Sequence, residues 1–138
     1  MNVDHKALIR QAIAAREAAY APYSKFAVGA ALLCENGRIY QGCNIENAAY
    51  TPTSCAERTA FFTAVAAGER AFAAIAVAGW AIGGEPGFAF PCGVCRQVMM
   101  EFCEPQEFVI ITAASEEEYK VLNLRQLLPE GFGPESLL

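Results

Sequence analysis

Two short segments, Cys55-Ala56-Glu57 and Pro91-Cys92-Gly93-Val94-Cys95, hold the residues best suited to chemistry. Three thiolates can take three corners of the tetrahedron that Zn²⁺ prefers and leave the fourth to water. Glu57 stands two residues from Cys55, near enough to exchange a proton with that water. The chemistry of such a set is metal-assisted hydrolysis with one carboxylate carrying the proton. His5 is the only histidine and falls in an exposed start of the chain, which disfavours a Ser-His-Asp or Cys-His triad.

Simpler readings compete for each residue. Cys92-x-x-Cys95 alone has the form of a redox pair, but a redox pair has no use for a third cysteine beside a glutamate. A closed structural zinc site needs a fourth protein ligand, which Cys34, Cys43 or Cys103 would have to supply. Cys34 and Cys43 fall inside predicted strands, and Cys103 lies two turns beyond Cys95, facing away. All three read more simply as small buried apolar side chains. Ser54-Cys55-Ala56-Glu57 also has the form of a capping box, with Glu57 bonding back to the Ser54 backbone. With Cys55 beside it and a second cysteine pair present, the catalytic reading of Glu57 is the stronger. Three thiolates around Zn²⁺ leave a net negative charge that must be offset. Arg58 follows Glu57 and Arg96 follows Cys95, and either can donate to sulfur, with a surface or inter-subunit ion pair as the alternative for each; Arg58 is the one expected to do so.

The elements between must bring these segments together. Asp4 caps a first helix through Ala7, Leu8, Ala12, Ile13 and Ala15, ending before Pro22. Residues 27–34 read as a strand, Asn36-Gly37 as a two-residue hairpin turn and 38–45 as the returning strand. A polar loop, 46–53, precedes a helix that starts at Ser54 and runs to about Ala67, with Gly68 as its stop. The apolar run 72–79 predicts a central strand buried on both faces. Residues 80–90 form a loop, 93–102 a third helix, 108–113 another buried strand, 116–118 a solvated turn, and 124–128 a short helix or turn ended by Pro129. The order helix, hairpin, helix, strand, helix, strand predicts a mixed sheet covered by helices, a three-layer α/β arrangement. Cys55 then opens one helix and Cys92 and Cys95 another, where the positive end of each helix dipole favours thiolate.

A chain of 138 residues with 54% hydrophobic content fits one domain, 1–138, with a real core. The net charge of -5 lacks the basic footprint of a polynucleotide binder, so no nucleic-acid partner is expected and the substrate should be small. The start, Met1-Asn2-Val3-Asp4-His5-Lys6, lacks the build of a signal peptide. The most apolar stretch, 71–84, is too short to span a bilayer. A soluble, cytoplasmic protein without a membrane partner is expected, its six cysteines serving metal or buried thiols.

Several segments, in order, resemble the small zinc-dependent cytidine deaminases of the homotetrameric, three-cysteine type. They are Pro22-Tyr23-Ser24-Lys25-Phe26-Ala27-Val28-Gly29-Ala30-Ala31-Leu32, Gly42-Cys43-Asn44-Ile45-Glu46-Asn47-Ala48-Ala49-Tyr50, Cys55-Ala56-Glu57-Arg58-Thr59-Ala60, Pro91-Cys92-Gly93-Val94-Cys95-Arg96-Gln97 and 127–134. The resemblance implies a three-layer α/β/α fold on a central mixed five-stranded sheet. It implies hydrolytic deamination of cytidine and deoxycytidine to uridine and deoxyuridine, with release of ammonia, in pyrimidine salvage. By resemblance Cys55, Cys92 and Cys95 hold one Zn²⁺ per subunit and Glu57 shuttles the proton, while Arg58 is the residue that the charge argument places beside the thiolates. Asn44 and Glu46 bond the sugar hydroxyls, Phe26 packs along the pyrimidine and sugar, and Ala56 presents backbone groups to the base. Phe132 reaches into a neighbouring subunit's site, so active sites are shared in the homotetramer. Residues 79–90 depart from the family in being apolar and Gly-rich, and Phe90 stands where a small polar residue is usual. The alternatives are a deaminase of a cytosine-containing antibiotic such as blasticidin S, and a non-catalytic structural zinc module.

Overall fold

The computed structural model describes residues 2–138. The chain runs α1 (His5–Ala15), β1 (Phe26–Cys34), β2 (Ile39–Cys43), α2 (Ala56–Ala66), β3 (Phe72–Ala81), α3 (Gly93–Phe102), β4 (Val109–Ala113), β5 (Tyr119–Asn123) and α4 (Leu124–Leu127). Asp4 caps α1 by accepting from the Ala7 N–H at 3.1 Å, and Gly37 gives the β1–β2 turn the positive φ of 91° that a tight hairpin requires.

The sheet order is β2-β1-β3-β4-β5. β1 pairs antiparallel with both β2 and β3, β3 pairs parallel with β4 across α3, and β4 pairs antiparallel with β5. Alternation along β1 separates the two faces. Ala30, Leu32 and Cys34 pack with Ala60, Phe61 and Met99 from α2 and α3, whereas Ala31 and Leu33 pack with Leu8, Ile9 and Ala12 from α1. Helices on both faces of a mixed five-stranded sheet make the three-layer α/β/α fold. Phe61 anchors the α2–α3 side, its ring 5.0 Å from Phe72 and 5.9 Å from Phe108.

Both helices that flank the hairpin approach it at glycine. A Cβ on Gly29 would lie 2.0 Å from the Ala12 carbonyl oxygen of α1, and one on Gly42 would lie 2.4 Å from the Ala56 carbonyl oxygen of α2. The hairpin therefore holds α2, which begins beside Cys55, at backbone contact.

Three expectations are corrected. Trp80 and Ala81, expected in a loop, extend β3, where they pair with Ala27 and Phe26. β5 was not expected from the residue pattern. It is an edge strand whose Lys120 and Val121 are exposed, so it lacks the continuous apolar run that marks β3. Cys43 and Cys103 are only half-buried, whereas Cys34 is buried as expected. Among the described residues no helix is long and apolar enough to cross a membrane.

Candidate active site

Both site helices begin on a cysteine. Cys55 is the N-cap of α2 and Cys92 the N-cap of α3, and neither side chain bonds to its own helix. Their sulfurs are free to meet elsewhere. The Cys55 carbonyl closes the first turn by accepting the Thr59 N–H and hydroxyl, at 3.0 and 3.1 Å. Cys95 sits in the first turn of α3. The sulfurs of Cys55, Cys92 and Cys95 all lie within 4.8 Å of one another, and Cys55 and Cys92 are 3.8 Å apart.

That spacing fits zinc. A tetrahedral ion with metal–sulfur bonds near 2.3 Å places its sulfurs about 3.8 Å apart. The chemistry of the donors agrees, since three sulfurs select a thiophilic ion. Burial grades from Cys95, which is buried, through half-buried Cys55 to exposed Cys92, so the cluster faces solvent on the Cys92 side. Among the described residues no further histidine, cysteine or carboxylate joins the three. The described residues thus bring together three ligands, one fewer than a closed structural site requires.

Cys55 is the readiest thiolate. Its pKa is held down to about 5, first by the hydrogen bond from the Cys95 thiol, with Arg58 adding a second donor against the cost of burial. Arg58 Nη2 donates to Cys55 Sγ at 3.2 Å. Cys95 is pushed up because it donates to Cys55 and is buried. Glu57, in the first turn of α2, is 4% exposed. Burial pushes its carboxyl up to about 7, with the charge on Cys55 adding to the effect. A carboxyl poised there can both take and give a proton near neutral pH.

The capping box weighed as the alternative for Ser54 and Glu57 is absent, because the N-cap is Cys55. Ser54 instead pairs its backbone with Ile45, at 2.9 and 3.0 Å, and its hydroxyl lies 3.0 Å from that of Thr59. This bridge brings Asn44 and Glu46 beside the start of α2. Ala56 is fully buried behind Cys55. Asn44 is buried and clamps β1, accepting from the Val28 N–H at 2.9 Å and donating to the Phe26 carbonyl at 2.7 Å. Glu46 accepts from the N–H groups of Tyr23 and Ser24 at 3.0 and 3.1 Å and from the Ser24 hydroxyl. The Ser24 hydroxyl is the main reason its carboxyl is held below the usual range. Phe26 opens β1 with its ring partly exposed. Phe132 is exposed on the C-terminal segment, tied to α3 through Gln97 Nε2, which donates to its carbonyl at 2.8 Å.

Of the two arginines that could donate to sulfur, Arg96 does not. Its Nε donates to the Pro91 carbonyl and its Nη1 to the Leu127 carbonyl, both at 2.6 Å. Thr112, which the sequence reading passed over, is fully buried and donates its hydroxyl to the Ala89 carbonyl at 2.6 Å. Thr112 and Arg96 thus fasten both ends of the short segment that leads into Cys92. A lone threonine among the apolar residues of β4 was the signal for it. Lys120 places its ammonium 4.9 Å from the Phe88 ring and 5.7 Å from the Phe90 ring, so the apolar loop before Pro91 is also held from β5.

Residues 2–112 match the cytidine and deoxycytidylate deaminase zinc-binding region. A cytidine deaminase from Sporosarcina psychrophila is 50% identical over 135 residues, covering 98% of this chain and 96% of that protein. The crystal structure of cytidine deaminase from Burkholderia pseudomallei superposes with a TM-score of 0.85 at 48% identity, covering 94% of this chain and 100% of that one. The Mycobacterium tuberculosis cytidine deaminase structure gives a TM-score of 0.80 at 38% identity, covering 96% and 99%. Sequence and fold agree over nearly the whole length of both partners in each comparison, and the chain belongs to the cytidine deaminase family.

Proposed function

We propose that this protein removes the amino group of cytidine and deoxycytidine by hydrolysis, giving uridine and deoxyuridine with release of ammonia. The observation that carries the reading is the meeting of two helix starts, which sets three sulfurs at zinc spacing beside a buried carboxyl. Zinc held by Cys55, Cys92 and Cys95 supplies the Lewis acid that activates water toward C4 of the cytosine ring.

Glu57 does the proton work. Its carboxylate takes the proton of the attacking water and delivers it to the ring nitrogen next to C4, which makes C4 electrophilic. It then assists protonation of the departing amine. One carboxyl serves as base and then as acid because the steps are sequential. Arg58 offsets part of the sulfur charge through its bond to Cys55. Ala56 offers backbone groups to the base, Phe26 lines the pyrimidine and sugar, and Asn44 and Glu46 meet the sugar hydroxyls. Residues 1–138 act as one domain, in a cytoplasmic homotetramer that serves pyrimidine salvage, with Phe132 completing a neighbour's site.

The test follows the cytosine chromophore by ultraviolet absorbance in zinc-replete protein. Wild type should convert cytidine with release of ammonia. Glu57→Gln should fold, hold zinc and lose at least the roughly 10²–10⁴-fold that a positioned acid–base group contributes. Substantial turnover by Glu57→Gln would eliminate the proton shuttle. No turnover by folded, zinc-loaded wild type would eliminate the reading itself.

A further inference from the structure

We propose that Ser24 is a positioning residue for sugar recognition. It locks the Glu46 carboxylate so that one acceptor site remains, placed to take a hydrogen bond from a sugar hydroxyl. The proposal rests on the reading of Glu46 as a sugar contact.

A carboxylate offers about four acceptor sites, two on each oxygen. Glu46 Oε1 takes the N–H groups of Tyr23 and Ser24, at 3.0 and 3.1 Å. Oε2 takes the Ser24 hydroxyl. One site on Oε2 is left. The direction of the Ser24 hydroxyl is fixed as well, because its oxygen accepts the Phe26 N–H at 3.0 Å and its proton therefore goes to Glu46. A single serine ties the carboxylate to the backbone at Phe26, the ring proposed to line the pyrimidine.

The turn that permits this carries backbone strain. Lys25 has a φ of 59°, a left-handed conformation uncommon outside glycine. It is held there by its own N–H to the Ala21 carbonyl at 3.1 Å and by the Ile82 N–H to its carbonyl at 2.8 Å. Strain of this kind persists where surrounding bonds over-determine it, and it collects at binding sites. The Tyr23 and Ser24 amides, which precede Lys25 in the same turn, both face one carboxylate oxygen.

The three donors also keep Glu46 ionised. An ionised carboxylate can only accept. Its remaining site rewards a sugar hydroxyl and gives nothing to a carbon-bound hydrogen. Ser24 therefore sharpens the preference for nucleosides that keep sugar hydroxyls, without touching the reacting atoms.

The experiment compares wild type, Ser24→Ala, Ser24→Thr and Glu46→Gln in the zinc-loaded protein. It measures kcat and KM for cytidine, and the inhibition constant of 2′,3′-dideoxycytidine as a competitor. Ser24→Ala should raise KM for cytidine about tenfold, the scale of one weakened charge-assisted hydrogen bond. It should leave kcat within about twofold and the dideoxy inhibition constant unchanged, because that ligand lacks the 2′ and 3′ hydroxyls that the locked carboxylate would accept from. Ser24→Thr, which keeps the hydroxyl, should restore the wild-type KM. Equal weakening of both ligands by Ser24→Ala would mean a general loosening of the loop and overturns the proposal, as would no change in either. If Glu46→Gln also leaves the discrimination between the two ligands intact, the reading of Glu46 itself has failed. If Glu46→Gln removes it while Ser24→Ala does not, only the role of Ser24 has failed.

Discussion

Gly42 meets the start of α2 with no room for a methyl group, which makes Gly42→Ala a direct probe of how the hairpin sets the site. The added Cβ would lie 2.4 Å from the Ala56 carbonyl oxygen, 2.5 Å from the Ala60 nitrogen and 3.0 Å from the Ala60 Cα. These are backbone atoms and cannot rotate away. Ordinary contact needs roughly 3.5 Å, so the first turns of α2 must retreat by about 1 Å. Overpacking of this kind costs about 1–3 kcal/mol, or a fall in Tm of roughly 3–12 °C for a domain of this size. The same retreat carries Cys55 and Glu57 away from Cys92 and Cys95, which stand on α3. A misplacement near 1 Å is worth about 10²-fold in rate.

Gly29→Ala is the matched control. Its Cβ would strike α1 at least as hard, 2.0 Å from the Ala12 carbonyl oxygen and 2.6 Å from the Arg16 nitrogen, but on the opposite face of the sheet from Cys55 and Glu57. Both variants are assayed well below their Tm, with kcat normalised to bound zinc. Both should lose stability. Only Gly42→Ala should lose the two orders of magnitude in kcat, while Gly29→Ala stays within a few-fold of wild type. Wild-type kcat in Gly42→Ala would refute the argument that backbone contact with β2 positions the first turn of α2. Equal kcat losses in the two variants would refute the claim that the effect is local to one face.

Two other substitutions separate support from chemistry. Arg58→Gln removes the donor 3.2 Å from Cys55 and should cost about 10–100-fold in kcat, the worth of a hydrogen bond to a charged group. Its rising pH limb should move upward, because uncompensated sulfur charge weakens the Lewis acid; an unshifted profile with unchanged kcat would remove Arg58 from the account. Thr112→Val keeps the shape but orphans the Ala89 carbonyl, costing about 1–3 kcal/mol of stability, and should hasten zinc loss to a chelator, with Thr112→Ser restoring the wild-type half-life. A lower Tm with an unchanged zinc half-life would mean that Thr112 stabilises β4 without steadying Cys92.

The sequence discloses what is local and hides what is assembled. Residues 93–102 read as a helix and form α3 with the same limits, because Pro91 and the apolar spacing act within one segment. Cys55-Ala56-Glu57 and Cys92-x-x-Cys95 each read locally as half of a metal site, although the fold has to bring the halves together. Arg58 and Arg96 show where adjacency misleads. Arg58 is three residues after Cys55, so both lie on one face at the start of α2. Arg96 is one residue after Cys95, and a helix turns about 100° per residue, so its guanidinium leaves the sulfur and braces Pro91 against α4. The capping-box pattern at Ser54 is locally sound, yet pairing with Ile45 claims the Ser54 backbone and moves the cap to Cys55. β5 owes its strand to the partner β4, which no pattern within 119–123 reveals.

The two cysteine N-caps explain why this fold and this chemistry belong together. A serine, threonine, aspartate or asparagine at an N-cap stabilises its helix by about 1 kcal/mol, by bonding the N–H groups of the first turn. α2 and α3 both forgo that bond, since Cys55 and Cys92 make no side-chain cap. The uncapped N–H groups leave the positive ends of two helix dipoles beside three sulfurs. Three thiolates around a divalent ion carry net negative charge, and the counter-charge has to come from somewhere other than a histidine, because His5 lies far along the fold against Tyr119. Arg58 supplies part through Cys55, and the helix starts supply the rest from the backbone. The forgone caps thus return as stabilisation of anionic sulfur at the two helix starts. Local helix stability has been exchanged for two helix starts that favour thiolate, and the glycine contact at residue 42 keeps one of them in place.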